Sequence, residues 1–223
     1  DRNDRLRGAA YQWFEHHPNT AILGRLLAAL PGETSEFVRP ALTRAIAAHG
    51  ADSRVAQALR PLVLRGEDLF RGSVIVALGD HGGTFARDEI MTVAENEGPL
   101  QDDAVTALGR LGGGEALPLL RTLQEKAARE LQPTLSAALC LLGIDCVARI
   151  DFLVSSLTFA ATTNGYQPLL RGAAHGLGML ASAGNDAAFD ALVRLGSSAR
   201  EEARAPIALA LGTVALRDPA VVV

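Results

Sequence analysis

Apolar side chains along this chain recur at offsets of three, one and three, within short runs that come back at a near-constant interval. In one run the inward set is Val74, Ala77, Leu78 and His81; in the next it is Ala104, Ala107, Leu108 and Leu111. Those offsets place each set on one face of a helix. Leu135 to Gly143, His175 to Ala181 and Leu209 to Ala215 read the same way, and Ala9 to Pro18 and Leu42 to Gly50 are more divergent copies. The equivalent ends fall at Pro18, Gly50, Gly82, Gly112, Gly143, Ala181 and Ala215, giving spacings of 32, 32, 30, 31, 38 and 34 residues. Glycine at such an end fits a C-cap with positive φ. Each run is the second helix of its unit, and a first helix lies between successive runs. Thr20, Asp52 and Thr84 are its expected N-caps, and Ile22, Leu23, Leu26, Leu27 and Leu30 its apolar side in the first unit. Later first helices are expected over 116–127, 147–162 and 187–195. Alternating β-branched residues are scarce, so the expectation is an all-α chain. A period near 32 means an α-solenoid, in which each hairpin buries its apolar face against its neighbours.

Polar columns carry the same register. Asp4, Glu36 and Asp68 align at 32 residues, as do Arg7, Arg39 and Arg71, and His17, His49 and His81. Each acid precedes its arginine by three residues, and Glu201 with Arg204 repeats the spacing. Stacked units are expected to bring these into a ladder, with each acid at a helix start where its charge is favoured. Small residues at the middle of the inward face, Ala77, Ala107, Ala138 and Gly176, should let successive helices approach closely.

Units of this length, with Val-Xaa-Xaa-Ala-Leu-Gly-Xaa-Leu-Gly in the second helix and Asp/Glu-Xaa-Xaa-Arg at its start, resemble HEAT repeats. The subtype is similar to the HEAT-like repeats of bilin lyases and related bacterial proteins. The resemblance implies a right-handed superhelix of about seven HEAT-like helical hairpins spanning residues 1–223 as one array. With Asp1 first and Val223 closing an apolar run, the expectation is a piece of a longer chain. The resemblance specifies fold more than function, because unrelated activities share the architecture.

Composition narrows the functions. Net charge is −4 with a pI of about 5.7, against a nucleic-acid binder with a basic face. The longest uncharged stretch, 152–170, is too polar to span a membrane. Cys140 and Cys146 suggest no disulfide framework, and Cys140 reads as a small buried apolar side chain. The histidine column invites a metal, but neighbouring repeats lie about 10 Å apart and a metal needs ligands some 2 Å away. A histidine ending a helix is better employed donating to free carbonyls. His16 and His17 follow Glu15 yet diverge around the helix. Deoxyhypusine hydroxylase, similar in its repeats, holds iron through His-Glu pairs; none occurs here, and the matching positions read Arg7-Gly8, Arg39-Pro40, Arg71-Gly72, Asp102-Asp103 and Arg171-Gly172. HEAT-like DNA glycosylases need a basic face and aromatic side chains near the lesion. The one tryptophan, Trp13, falls instead on the inward stripe of the first unit. The three glycines at 112–114 form a turn without the strand or lysine of a phosphate loop.

The expectation is therefore a noncatalytic scaffold, not an enzyme, with no cofactor and no metal. Its second helices line a concave surface. The positions opposite the inward stripe are Gln12, His16, Arg44, Asp80, Thr106, Arg110, Arg171 and His175, a mixed polar face suited to a protein or peptide. Tyr166, on the insertion that lengthens one spacing to 38 residues, is a candidate anchor. The chain is expected to be monomeric and cytoplasmic. The alternative is a lyase or chaperone-like protein that handles a small molecule in the concave groove, as bilin lyases do.

Overall fold

A computed structural model describes residues 3–162 and 166–217. Every regular element among them is helical: thirteen α-helices and three short 3-10 turns. Contacts between helices divide the chain into two compact units, Asp1–Leu111 and Gly112–Val223.

The first unit contains α1 (Asp4–His16), α2 (Thr20–Ala29), α3 (Arg39–Ala47), α4 (Ser53–Leu59), α5 (Asp68–Asp80), α6 (Arg87–Glu95) and α7 (Gln101–Leu111). Helices α1, α3, α5 and α7 are the repeated second helices, and each packs on the next. The expected stripe is buried: Val74, Ala77, Leu78, Ala104, Ala107 and Leu108 are all essentially inaccessible. Leu23 and Leu26 of α2, with Leu30 in the 3-10 turn after it, close the core. The second unit contains α8 (Leu117–Lys126), α9 (Gln132–Leu141), α10 (Cys146–Thr162), α11 (Gln167–Ser182), α12 (Asp186–Ser197) and α13 (Glu201–Arg217). Here α9, α11 and α13 pack in succession around Leu153, Leu157, Leu170, Leu177, Leu192 and Ile207. The long 38-residue spacing is largely extra helix: α10 has 17 residues and α11 has 16, against 10 each in α8 and α9. Of the insertion, Thr163, Asn164 and Gly165 lie outside the described residues.

Helix ends follow local chemistry. Gly82 takes φ 71° and Gly143 φ 80°, which lets the amide of Gly83 reach the Leu78 carbonyl at 2.8 Å and that of Ile144 reach Leu139 at 2.9 Å. These are the six-to-one bonds that close a helix at a left-handed residue. Asp52 caps α4 as expected, accepting from the Arg54 amide at 2.9 Å. Two expected caps are corrected. Asn19, not Thr20, caps α2 by accepting from the Ala21 amide, because Asn19 holds the extended backbone before the helix while Thr20 is already its first residue. Thr84 begins a 3-10 turn and its side chain caps nothing.

The acid–arginine ladder is also different from expectation. Asp4–Arg7 and Asp68–Arg71 pair at 2.9 Å, but neither Glu36–Arg39 nor Glu201–Arg204 forms an ion pair. The recurrent partner of the arginine is a backbone carbonyl ending the previous helical segment: Arg39 Nε donates to Glu33, Arg71 Nε to Val63 and Arg204 Nε to Ala199. Gln101 and Gln132 make the same bond to Ala94, and to Gln124 and Ala127. The last carbonyls of a helix have no intrahelical donor, so a long donor at the start of the next helix ties these five hairpins shut.

Candidate functional site

In the first unit the polar residues expected to meet a partner are largely occupied by one another. Glu15, at the end of α1, accepts from Arg44 Nε at 3.0 Å and lies 3.2 Å from His81 Nε2. One carboxylate thus links α1, α3 and the cap of α5. Burial alone would raise the Glu15 carboxyl, but the His81 and Arg44 bonds outweigh it and hold the group below its ordinary value. Asp80 pairs with Arg110 in the same manner. Gln12 and His16 are exposed on α1. Thr106 corrects the reading: it is buried, because α7 packs on both α5 and α6 and keeps no open side between Ala104 and Gly109.

The histidine column separates into three roles. His17 Nδ1 donates to the Trp13 carbonyl at 2.9 Å, as a helix-ending imidazole should, and its ring stacks on Trp13 at 4.4 Å. His49 is buried, which lowers its pKa, and its Nε2 has no hydrogen-bond partner. His81 joins Glu15. Trp13 itself is 55% exposed, not the inward packing residue expected; α1 is flanked on one side only within its unit, by α3, so a ring on the far side stays in solvent. No three histidine, cysteine or carboxylate side chains among the described residues come together to hold a metal.

Asp103, which sequence reasoning did not single out for chemistry, is the most perturbed carboxyl. It stands at the start of α7, and a Cβ added to Gly72 would lie 2.9 Å from its Oδ2. Burial, with the charge of Asp102, pushes its pKa up to about 6. The folded state therefore holds its proton more tightly than the unfolded state, so stability is lost as pH rises from about 4 to about 6. Asp103→Asn removes that penalty. At pH 7 the variant is expected to be more stable by roughly 1–3 kcal/mol, from a shift of about two units at about 1.4 kcal/mol each. Urea melts at pH 3.5 and pH 7 check this: the advantage should vanish at the lower pH.

The second unit carries the better cavity. Two hollows meet at Ile207 of α13. One, of about 390 Å³, lies between α12 and α13 and is lined by Val193, Gly196, Ser197, Arg204, Ala208 and Leu211. The other, of about 150 Å³, is lined by Leu157, Thr158, Ala161, Thr162, Leu195, Arg200 and Ala203. The hydroxyls in these walls are already spent on their own helices: Thr158 on Val154, Ser197 on Val193, Ser198 on Arg194 and Thr162 on Thr158 and Phe159. That leaves apolar walls with two guanidinium groups one helical turn apart: Arg200, and Arg204, whose Nε is held by the Ala199 carbonyl so that only its Nη groups face a ligand. Neither arginine had a sequence signal for binding, since Arg204 looked like one more ladder position.

Near the end of α10, Arg129 lies over the Phe159 ring at 5.7 Å, and the Tyr166 hydroxyl donates to Glu130. Tyr166 is thus held against the α8–α9 connection. Arg171 and His175 are exposed along α11, whose start packs on Glu130 and Pro133. Cys140 and Cys146 are joined in a disulfide between the end of α9 and the start of α10, correcting the reading of two unpaired cysteines; the tight turn through Gly143 brings their Cα atoms to 4.4 Å.

The structure is similar to a solved structure of the complex of CpcE and CpcF of phycocyanin lyase from Nostoc sp. PCC7120. The match covers 96% of this chain and 91% of that one, with a TM-score of 0.60 and 18% sequence identity. The chain shares the α-solenoid fold of that complex. No protein-family model and no curated protein sequence matches it. The likeness corrects one expectation. A chain with no enzymatic role was read from the absence of familiar catalytic motifs, yet the same helical architecture is found in the complex of CpcE and CpcF of phycocyanin lyase. Among the described residues no helix is long and apolar enough to cross a membrane.

Proposed function

We propose that this chain is a bilin-lyase-like subunit that takes up an elongated, largely apolar small molecule bearing carboxylates, of the open-chain tetrapyrrole class, and acts in the cytoplasm together with a protein partner. The observation that carries the reading is the pair of apolar hollows at Ile207 with Arg200 and Arg204 as their donors, in an architecture that the phycocyanin lyase complex also has. Apolar walls desolvate the flat conjugated body, and guanidinium groups bind carboxylates in a fixed fork. Tyr166, Arg171 and His175 lie in the same unit and belong to the partner-facing side of this reading, as Gln12 and His16 do in the first unit.

Titration of the purified protein with biliverdin, followed by visible absorption, tests the proposal. The expected result is a saturable spectral change, weakened about tenfold or more by Arg200→Ala with Arg204→Ala, and abolished by Ile207→Trp at unchanged far-UV circular dichroism. Equal titrations for all three proteins, or none for the wild type, would remove the reading. Covalent transfer of the bound bilin to a cysteine of an acceptor protein, seen as an added mass, tests the lyase half separately.

A further inference from the structure

The starts of three successive repeated helices in the first unit form an exposed ridge that the intramolecular contacts leave apolar and acidic. Phe37 is 90% exposed, Leu69 63% and Leu6 58%. They are neighbours across repeats. Ser35 Oγ donates to Asp4 Oδ2 at 2.6 Å, joining the second start to the first. Arg39 lies over the Phe70 ring at 4.5 Å, joining the second to the third. Glu36, Glu67 and Leu69 line one shallow depression between them.

Charge around Phe37 and Leu69 is mainly acidic, with exposed Arg5 and Arg65 at the ends of the ridge. Arg7 is committed to Asp4 and Glu33, Arg39 to the Glu33 carbonyl and the Phe70 face, and Arg71 to Asp68 and the Val63 carbonyl. All three guanidinium groups are thus spent tying the repeats together. Glu36 and Glu67 have no cationic partner among the described residues, while Asp4 and Asp68 remain half exposed. Large apolar side chains flanked by two unpaired carboxylates, with two more that are paired but half exposed, do not suit a nucleic acid or an anionic lipid surface. They suit a segment that is apolar in the middle and cationic at its edges.

We propose that this ridge docks a basic amphipathic helix of a partner protein. The repeat supplies the register. Successive repeated helices lie about 10 Å apart, and two residues one heptad apart on a helix are separated by about 10.5 Å. A helix laid across the repeats therefore sets apolar residues i and i+7 beside Phe37 and Leu69, with lysines or arginines against Glu36 and Glu67. This goes beyond the ligand reading, involves the other unit and is tested with no bilin present, so either can fail alone.

The probe is a fluorescein-labelled 21-residue helical peptide with leucines at heptad spacing between lysines; its twin carries glutamates for the lysines. Fluorescence anisotropy is read on the wild type, on Phe37→Ser with Leu69→Ser, and on Glu36→Lys with Glu67→Lys. All four substitutions in the two protein variants fall at exposed positions, and circular dichroism confirms folding. The lysine peptide is expected to bind the wild type at least about tenfold tighter than its twin and to lose about tenfold on each variant. Binding kept by the serine variant would mean charge alone, and equal binding of both peptides would mean no ridge-specific site; either overturns the proposal. So does a wild type that sediments as a dimer and becomes monomeric with Phe37→Ser, since the ridge would then be covered by a second copy.

Discussion

Leu108→Ala lowers the unfolding free energy by about 2–5 kcal/mol, the range for emptying a fully enclosed leucine site. Leu108 has no accessible surface and sits on α7, which packs against both α5 and α6. Neighbours on two sides cannot both collapse inward, so the cavity persists and the loss falls in the upper half of that range. Urea denaturation followed by circular dichroism reads it directly. If the two compact units melt in separate steps, the loss belongs to the step of the first unit. A change below about 0.5 kcal/mol would mean that the inward stripe of this repeat is not its core, since surface changes stay within that bound.

Gly79→Val separates α5 from α7. A Cβ on Gly79 would stand 2.8 Å from the Ala107 Cα and 2.9 Å from its Cβ. The obstacle is backbone, which cannot rotate aside, so the helices must part and lose dispersion contact along the seam. The expected destabilisation is about 1–3 kcal/mol, typical of overpacking. Gly24→Ala is the control. Gly24 lies inside α2 with nothing within 4 Å of an added Cβ, so the gain in helix propensity, about 0.5–1 kcal/mol, should appear unopposed. Thermal melts of both variants decide the matter; if Gly79→Val melts like wild type, α5 and α7 do not approach at this glycine. The second unit repeats the device, with Gly178 placed 3.0 Å from the Ala210 Cβ on the same construction.

These glycines show how far the pattern could be read. The central alanines were legible as close-approach points because they recur in register. Their partners were not: Gly79 meets Ala107 two positions off the column that predicted it, since adjacent helices are staggered. The hairpin clamp was half legible. Arginine recurs at the helix start, but its partner is a carbonyl, and carbonyls leave no mark in a sequence. In two repeats glutamine does the same work, so the chemistry persists where the letter changes.

Periodicity by itself determined that this protein is helical, where its repeats begin and which side chains are inward in the repeats after the first, because burial on a 3.6-residue helix imposes that spacing on any sequence that folds this way. Only the tertiary structure decided which polar side chains remain available. Arg44, Asp80 and Arg110 turn to their neighbours, Thr106 is enclosed, and Arg200 and Arg204 stand at apolar hollows instead. Availability depends on what packs against a residue from elsewhere in the chain, at separations such as the 66 residues between Glu15 and His81, and no local pattern encodes that.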